Sequence, residues 1–321
     1  MPAWQIFGLT LVAPRPIAGL EPCAVEGHCA PDVTIVEAPV AMPPATASDD
    51  WIDLAAHPGG LYLSIRDVAR FHVEAGRRIA IDRAPGATDA EVDVYLTGTV
   101  IGVLLHQRGL LPLHCNAVSI GGAAFLFCGD SGAGKSTLAA WFEARGHAIL
   151  TDDLCAVQVG AGPPLALAGM PRLRLWRQSL HLLGRSPAGL RALPWDDDKF
   201  EGAMRAALPS HPLPIAAIYH LRGAEEDAPE PGITPVKGLA AAEVVTASIY
   251  RRRIADHIGR TPGYLADAMA IVRTVPAFAF RRSWDLSRFE EEALAVEAHA
   301  FAAAQHHADG LPARTRADFA R

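Results

Sequence analysis

The sequence predicts an α/β fold with a small β-rich part ahead of it, and three observations carry that expectation. The run AAFLFCG at 123–129 is continuously apolar, as a strand buried on both faces must be. A glycine-rich loop and a helix at 135–145, closed by Gly146, follow it, and a second apolar run, HAILTDD at 147–153, comes next. Before residue 88 the chain shows only short β-like runs broken by proline and turn residues, with no helix period of useful length.

Taken in order, QIFGLTLV, DVTIVEAPV, LYLSI (61–65), FHV (71–73) and RRIAID (77–82) read as strands, with MPPATASDDW as a loose connection. Residues 1–87 are therefore expected to form a β-rich N-terminal subdomain. Thr88-Asp89-Ala90-Glu91 is a capping box, and Val92, Leu96, Val100, Val103 and Leu104 repeat at helical spacing up to a stop at Gly109. Residues 88–304 read as the main α/β domain. Within it, IAAIYHLR (215–222) is strand-like and GAEEDAPEPG (223–232) is an acidic, proline-rich loop. A last helix starts at a second capping box, Ser287 to Glu290, with Phe289, Ala293, Val296 and Ala300 as its apolar stripe. The tail, 305–321, is expected to be flexible.

Composition narrows the function classes. The chain has 321 residues, half of them hydrophobic and 20% charged, the balance of a packed globular protein. A formal net charge of −6 argues against gripping nucleic acid or an anionic membrane through a basic face. Five cysteines leave one unpaired in any full disulfide scheme, and none sits in a C-x-x-C pair, so zinc and dithiol-redox readings are poor. The N-terminus has no basic n-region, and the longest uncharged stretch, near 109–129, is interrupted by proline, histidine, asparagine and glycines. A cytoplasmic protein is expected.

Gly129-Asp130-Ser131-Gly132-Ala133-Gly134-Lys135-Ser136 matches G-x-x-x-x-G-K-[ST], and Thr137 follows. Small residues let backbone N–H groups wrap a phosphate chain, Lys135 supplies charge to it, and Ser136 supplies an oxygen to Mg²⁺. A strand before the loop and a helix after it are the context the motif requires. Nucleotide binding, with ATP and Mg²⁺ as ligands, follows.

Thr151-Asp152-Asp153 ends the second apolar run only 17 residues after Lys135. That interval fits one helix and a return, which predicts that the two strands are parallel neighbours with both carboxylates at their carboxyl end. Alternation along a strand means one aspartate faces the nucleotide more directly than the other. His114, in LPLHCNAV, precedes the strand that leads into the loop.

These residues together resemble the catalytic domain of HPr kinase/phosphorylase and its relatives, a P-loop kinase core related to phosphoenolpyruvate carboxykinase. The match runs over 111–157 and on through PRLRLW (171–176). The resemblance implies an ATP-dependent bacterial serine kinase in which Lys135 and Ser136 hold phosphate and metal. Asp152 would be the base toward the acceptor serine, Asp153 would assist the metal, and His114 would lie near the pair. Where the bifunctional enzymes carry a glycine-rich signature, this chain reads Met170-Pro171-Arg172-Leu173-Arg174-Leu175-Trp176, which puts the reverse, phosphorylase reaction in doubt. The layout is closer to stand-alone relatives associated with lasso-peptide clusters, so a serine of a peptide or small protein is the favoured acceptor. Hexamers occur in the family, which leaves homo-oligomerisation open.

Arg172 and Arg174 are candidates to stabilise charge on the transferred phosphoryl group. Lys199, in DDDKF, reads rather as a surface lysine. Alternatives to the kinase are a non-catalytic nucleotide-binding regulatory module, the bifunctional HPr kinase/phosphorylase, and a small-molecule or carboxykinase-like enzyme.

Overall fold

Alternating half-buried runs dominate the first 83 residues. The structure, a computed structural model, describes residues 1–26, 30–43, 51–194, 196–204, 208–209, 211–223, 231–283 and 285–310. Cys29, most of the loose stretch after Ala41, the acidic loop 224–230 and the chain after 310 lie outside them. Among the described residues, strands β1 (Ala3–Ile6), β2 (Leu9–Val12), β3 (Val33–Glu37), β4 (Ile52–His57), β5 (Gly60–Ile65), β6 (Ala69–Glu74) and β7 (Arg78–Arg83) form one sheet in the order β1-β2-β3-β7-β6-β5-β4. In β5 and β6 every second side chain is buried, as a sheet with one wet face requires.

The capping box at Thr88 forms: Thr88 Oγ1 accepts from Glu91 N at 3.3 Å, and Glu91 Oε2 accepts from Thr88 N at 2.7 Å. It starts α1 (Asp89–Tyr95), which continues through a π-helical turn, Leu96–Val100, into α2 (Ile101–Gln107). The expected stripe (Val92, Leu96, Val100, Val103, Leu104) packs in the same core as the first sheet, together with Leu154, Met170, Tyr250 and Ile254. Gly102 permits this packing, since a Cβ there would lie 2.8 Å from the Tyr250 ring.

A second, mixed sheet holds the site. It contains β8 (Leu111–Leu113), β9 (Cys115–Ile120), β10 (Ala123–Cys128), β11 (Ile149–Thr151), β12 (Cys155–Gln158) and β13 (Leu165–Leu167). The small sheet β14 (Arg172–Trp176), β15 (Arg191–Leu193) and β16 (Asp196–Ala203) packs beside it, and β17 (Leu213–Gly223), β18 (Gly232–Val236) and β19 (Ala277–Arg282) complete the large one. Its order is β11-β9-β10-β17-β13-β12-β8, with β19 also paired to β17 and β18 to β19. Strand β10 is buried along its whole length. Phe125 and Phe127 face α3 (Lys135–Ala144), while Ala124, Leu126 and Cys128 face α5 (Gly238–Ala247) and α7 (Thr261–Val272). Short α4 (Arg177–Leu182) and α6 (Arg252–His257) lie between these elements.

Two expectations need correcting. Strands β10 and β11 point the same way but are not neighbours: β9 lies between them, antiparallel to both. The second capping box does not form. Asp285 accepts from Ser287 N at 2.9 Å and caps a short 3-10 turn, while Glu290 accepts from Trp141 Nε1 at 2.7 Å. Helix α8 (Phe289–Gly310) follows, with the expected stripe buried, and it runs past the predicted start of the tail. Cys23, Cys115, Cys128 and Cys155 are buried and free. No helix among the described residues is long and apolar enough to cross a membrane.

Candidate active site

The loop 129–134 leaves the carboxyl end of β10 and enters α3 at Lys135, and a cleft of about 470 Å³ opens there. The position of Gly134 favours glycine because its φ is +78°, a backbone conformation that side-chain-bearing residues rarely adopt. Of the loop residues singled out above, Ser131, Gly132, Gly134, Lys135, Ser136 and Thr137 line the cleft. Gly129, Asp130 and Ala133 do not; they act through backbone carbonyls. Lys135 Nζ donates to Gly129 O at 2.8 Å and Asp130 O at 2.9 Å, and Arg282 Nη2 donates to Ala133 O. Burial holds the Lys135 ammonium below its ordinary pKa, against the opposing charges of Asp153 and Asp152. Thr137 Oγ1 lies 2.8 Å from Ser179 Oγ, tying α3 to α4.

The aspartates diverge. Asp152 is 5% exposed and its carboxylate is already engaged: Ser136 Oγ donates to Oδ1 at 2.9 Å, and Arg174 N donates to Oδ2 at 2.8 Å. Burial pushes its pKa up. The Arg174 N–H and Ser136 hydrogen bonds pull the other way, while the charge of Asp153 adds to the rise. Asp153 takes a positive φ of +73°, a conformation aspartate tolerates, which turns its side chain into the cleft with 33% left exposed. His114 Nδ1 sits 3.0 Å from Asp153 Oδ1 and 3.1 Å from Asp153 O. Two acceptors at one ring nitrogen assign the proton to Nδ1. Burial raises the Asp153 pKa, but the bond and charge of His114, with Arg174 and Arg172, outweigh it and hold the carboxyl below the usual range.

Asp152 is thus the carboxylate bonded to Ser136 of the loop, and Asp153 is the one that enters the cleft. The Ser136–Asp152 pair offers two hard oxygen donors at a helix N-terminus, which fits Mg²⁺, an ion that keeps several waters. No group of three or more His, Cys, Asp or Glu side chains that could hold a metal ion occurs among the described residues, so the ligand would complete the shell.

Arg172 and Arg174 share one face of β14 but not one place. Arg174 lines the cleft, with Nη1 3.8 Å from Asp153 Oδ2 and Nε donating to Glu201 Oε2 at 2.8 Å. Arg172 does not reach the cleft. It is buried, donating from Nη1 to Thr97 Oγ1 at 2.7 Å and from Nη2 to Thr97 O at 3.0 Å, inside the π-helical turn. It is a positioning residue that ties the first half of the chain to the site. Lys199 is not simply a surface lysine: it lines the cleft, its Nζ 5.3 Å from the Trp176 ring centre.

Two residues were missed from sequence. Arg282, at the end of β19, lines the cleft and lies against the loop; a basic pair closing the apolar run AFAFRR was its only signal. Glu201 gathers Arg174, Arg191 and Arg172, and although burial raises its pKa, these arginines bring it down to about 2. Its folded pKa lies below the ordinary 4.5, so its stabilisation is fully present above about pH 4.5 and is lost as pH falls toward 2. Glu201→Gln should lower stability at pH 7 by about 3 kcal/mol, the gap from wild type closing between pH 4.5 and 2. Thermal unfolding across that range measures it, and a gap independent of pH would contradict the assignment.

No family model matches the chain, and no curated protein matches it. Among solved structures it is similar to the Hpr(Ser) kinase/phosphatase from Coxiella burnetii, at 12% identity and a TM-score of 0.34, over 62% of this chain and 95% of that one.

Proposed function

We propose that this protein is an ATP-dependent, Mg²⁺-requiring kinase that transfers the γ-phosphoryl group to a serine hydroxyl. The observation that carries the reading is the meeting, in one cleft, of the Lys135 loop, the Ser136–Asp152 pair and the His114–Asp153 pair. A protein that only bound nucleotide would have no use for a second carboxylate held by a histidine and an arginine beside the first.

Loop N–H groups and the N-terminus of α3 hold the phosphates, and Lys135 turns its ammonium toward them. Ser136 and Asp152, with Asp152 in the place the resemblance gave to Asp153, would hold the metal, which when bound would offset charge on the β- and γ-phosphates. The serine oxygen bonds to the γ-phosphorus as the bond to the β-bridging oxygen breaks, and the serine proton passes to Asp153. A depressed carboxylate pKa suits this step, because in a loose transition state the hydroxyl loses its proton late and the base mainly orients it. His114 and Arg174 fix that carboxylate. Arg174 Nη2 and Arg282 Nε, buried and without partners among the described residues, are donors available to the transferred group.

The sequence resemblance favours a peptide or small protein as acceptor, with lasso-type ribosomal peptides first. Bulky side chains and a proline at 171–176 disfavour a second anion site, so the reaction is expected to run as a kinase and not as a phosphorylase. Incubation with γ-labelled ATP and serine peptides should place label on serine. Phosphopeptide with excess inorganic phosphate should release no pyrophosphate. ATP binding without transfer to any acceptor would favour the regulatory module, and rapid pyrophosphate release with free serine recovered would favour the bifunctional enzyme.

A further inference from the structure

Asn116 lines the cleft, and among the described residues its side-chain amide has no hydrogen-bond partner. Along β9, Cys115 and Ala117 pack toward α5 and α7, while Val118 and Ile120 pack toward α3. Alternation therefore puts the Asn116 side chain on the α3 side, below the first turn of that helix. The residue is 0% exposed, yet it lines the cleft with His114, Lys135, Ser136 and Asp153. Neither its Oδ1 nor its Nδ2 has a hydrogen-bond partner among the described residues.

An unpaired buried amide costs stability, and a leucine of similar volume would fill the same space without that cost. The other β9 side chains buried on this face are aliphatic, so the strand itself does not call for an amide. The polarity serves something that enters from the cleft.

We infer that Asn116 is a catalytic residue that hydrogen-bonds the phosphoryl group in transit. The inference rests on the kinase reading above. A neutral amide is both donor and acceptor, and a hydrated Mg²⁺–phosphate presents the complement of both. Nδ2–H would donate to a phosphoryl oxygen, and Oδ1 would accept from water around the bound nucleotide. A carboxylate at this position would repel the phosphate, and an ammonium would compete with Lys135. Asparagine supplies polarity without charge.

The test uses Asn116→Leu, with Asn116→Ala as the variant that cannot fail through side-chain shape. Three quantities are measured on wild type and variants: ligand-free unfolding temperature, Mg²⁺-dependent affinity for ADP and for a non-hydrolysable ATP analogue, and transfer rate. In Asn116→Leu the ligand-free protein is expected to unfold no lower than wild type. ADP affinity should hold within about twofold, while the extra affinity due to the γ-phosphoryl group should fall by about tenfold. Transfer should fall at least as far. An unchanged preference for the ATP analogue over ADP in both variants would overturn the inference, as would a large loss of ligand-free stability in Asn116→Leu. Wild type binding neither nucleotide is a separate outcome: it removes the kinase reading, and this inference with it.

Discussion

Asp153→Asn is expected to cut phosphoryl transfer by about 10²–10⁴-fold while leaving nucleotide affinity nearly unchanged. The substitution is unusually clean at this position. Asparagine is among the residues that accept a positive φ, so the turn at +73° survives. Its amide oxygen still accepts from His114 Nδ1, which lies 3.0 Å from Oδ1 in the parent chain. What is lost is the charge that receives the serine proton, and with it the long ion pair from Oδ2 to Arg174 Nη1 at 3.8 Å. Asp152→Asn should behave differently, because both of its oxygens accept bonds, from Ser136 Oγ and Arg174 N. An NH₂ group facing either donor breaks one of those bonds, so this variant should show a raised Mg²⁺ requirement and a lower unfolding temperature. Steady-state kinetics across Mg²⁺ concentration separate the two. Should the phenotypes come out exchanged, Asp152 is the base and the assignment by exposure fails.

The different placement of the two aspartates shows where the sequence stops informing. Alternation says that consecutive side chains leave a strand on opposite sides, but β11 ends at Thr151 and both aspartates lie beyond it. Which one enters the cleft is decided by the left-handed turn at Asp153, and Asp-Asp in a sequence does not mark it. Arg172 and Arg174 pose the same difficulty. Both point one way from β14, yet Arg172 is captured by the side chain and carbonyl of Thr97 in the π-helical turn, far back in the chain.

The β10–loop–α3 unit, the Thr88 capping box and the buried stripe of α8 are legible in the sequence because each pattern depends on neighbours within a few residues. Strand partners do not. The short apolar segment that becomes β9 inserts between β10 and β11, and nothing in its composition says which strands it will join. Arg282 and Glu201 reach the site only through tertiary packing, from β19 and β16. Asn116 was inside a segment already singled out, but one amide within an apolar run gives no sign of lacking a partner until the fold surrounds it.

Lys135→Met should abolish transfer and weaken ATP binding by about 10- to 150-fold, the range lost with one charge-assisted hydrogen bond. Methionine keeps most of the buried stem, so packing under the loop is little disturbed. The ammonium is held below its ordinary pKa by burial, which means that the folded state penalises the charged form. A lysine so depressed contributes a cost to stability at neutral pH that fades only as pH rises toward the ordinary value of 10.5. Against this, Lys135→Met releases the carbonyls of Gly129, a half-buried residue, and Asp130, an exposed one. The ligand-free unfolding temperature is therefore expected to stay level or rise while ATP affinity falls. Calorimetric titration with Mg²⁺-ATP, alongside unfolding of the ligand-free protein, measures both. ATP affinity unchanged in the variant would remove the nucleotide from this loop. A fall in affinity matched by an equal loss of ligand-free stability would mean that Lys135 serves to hold the loop closed and not to meet phosphate.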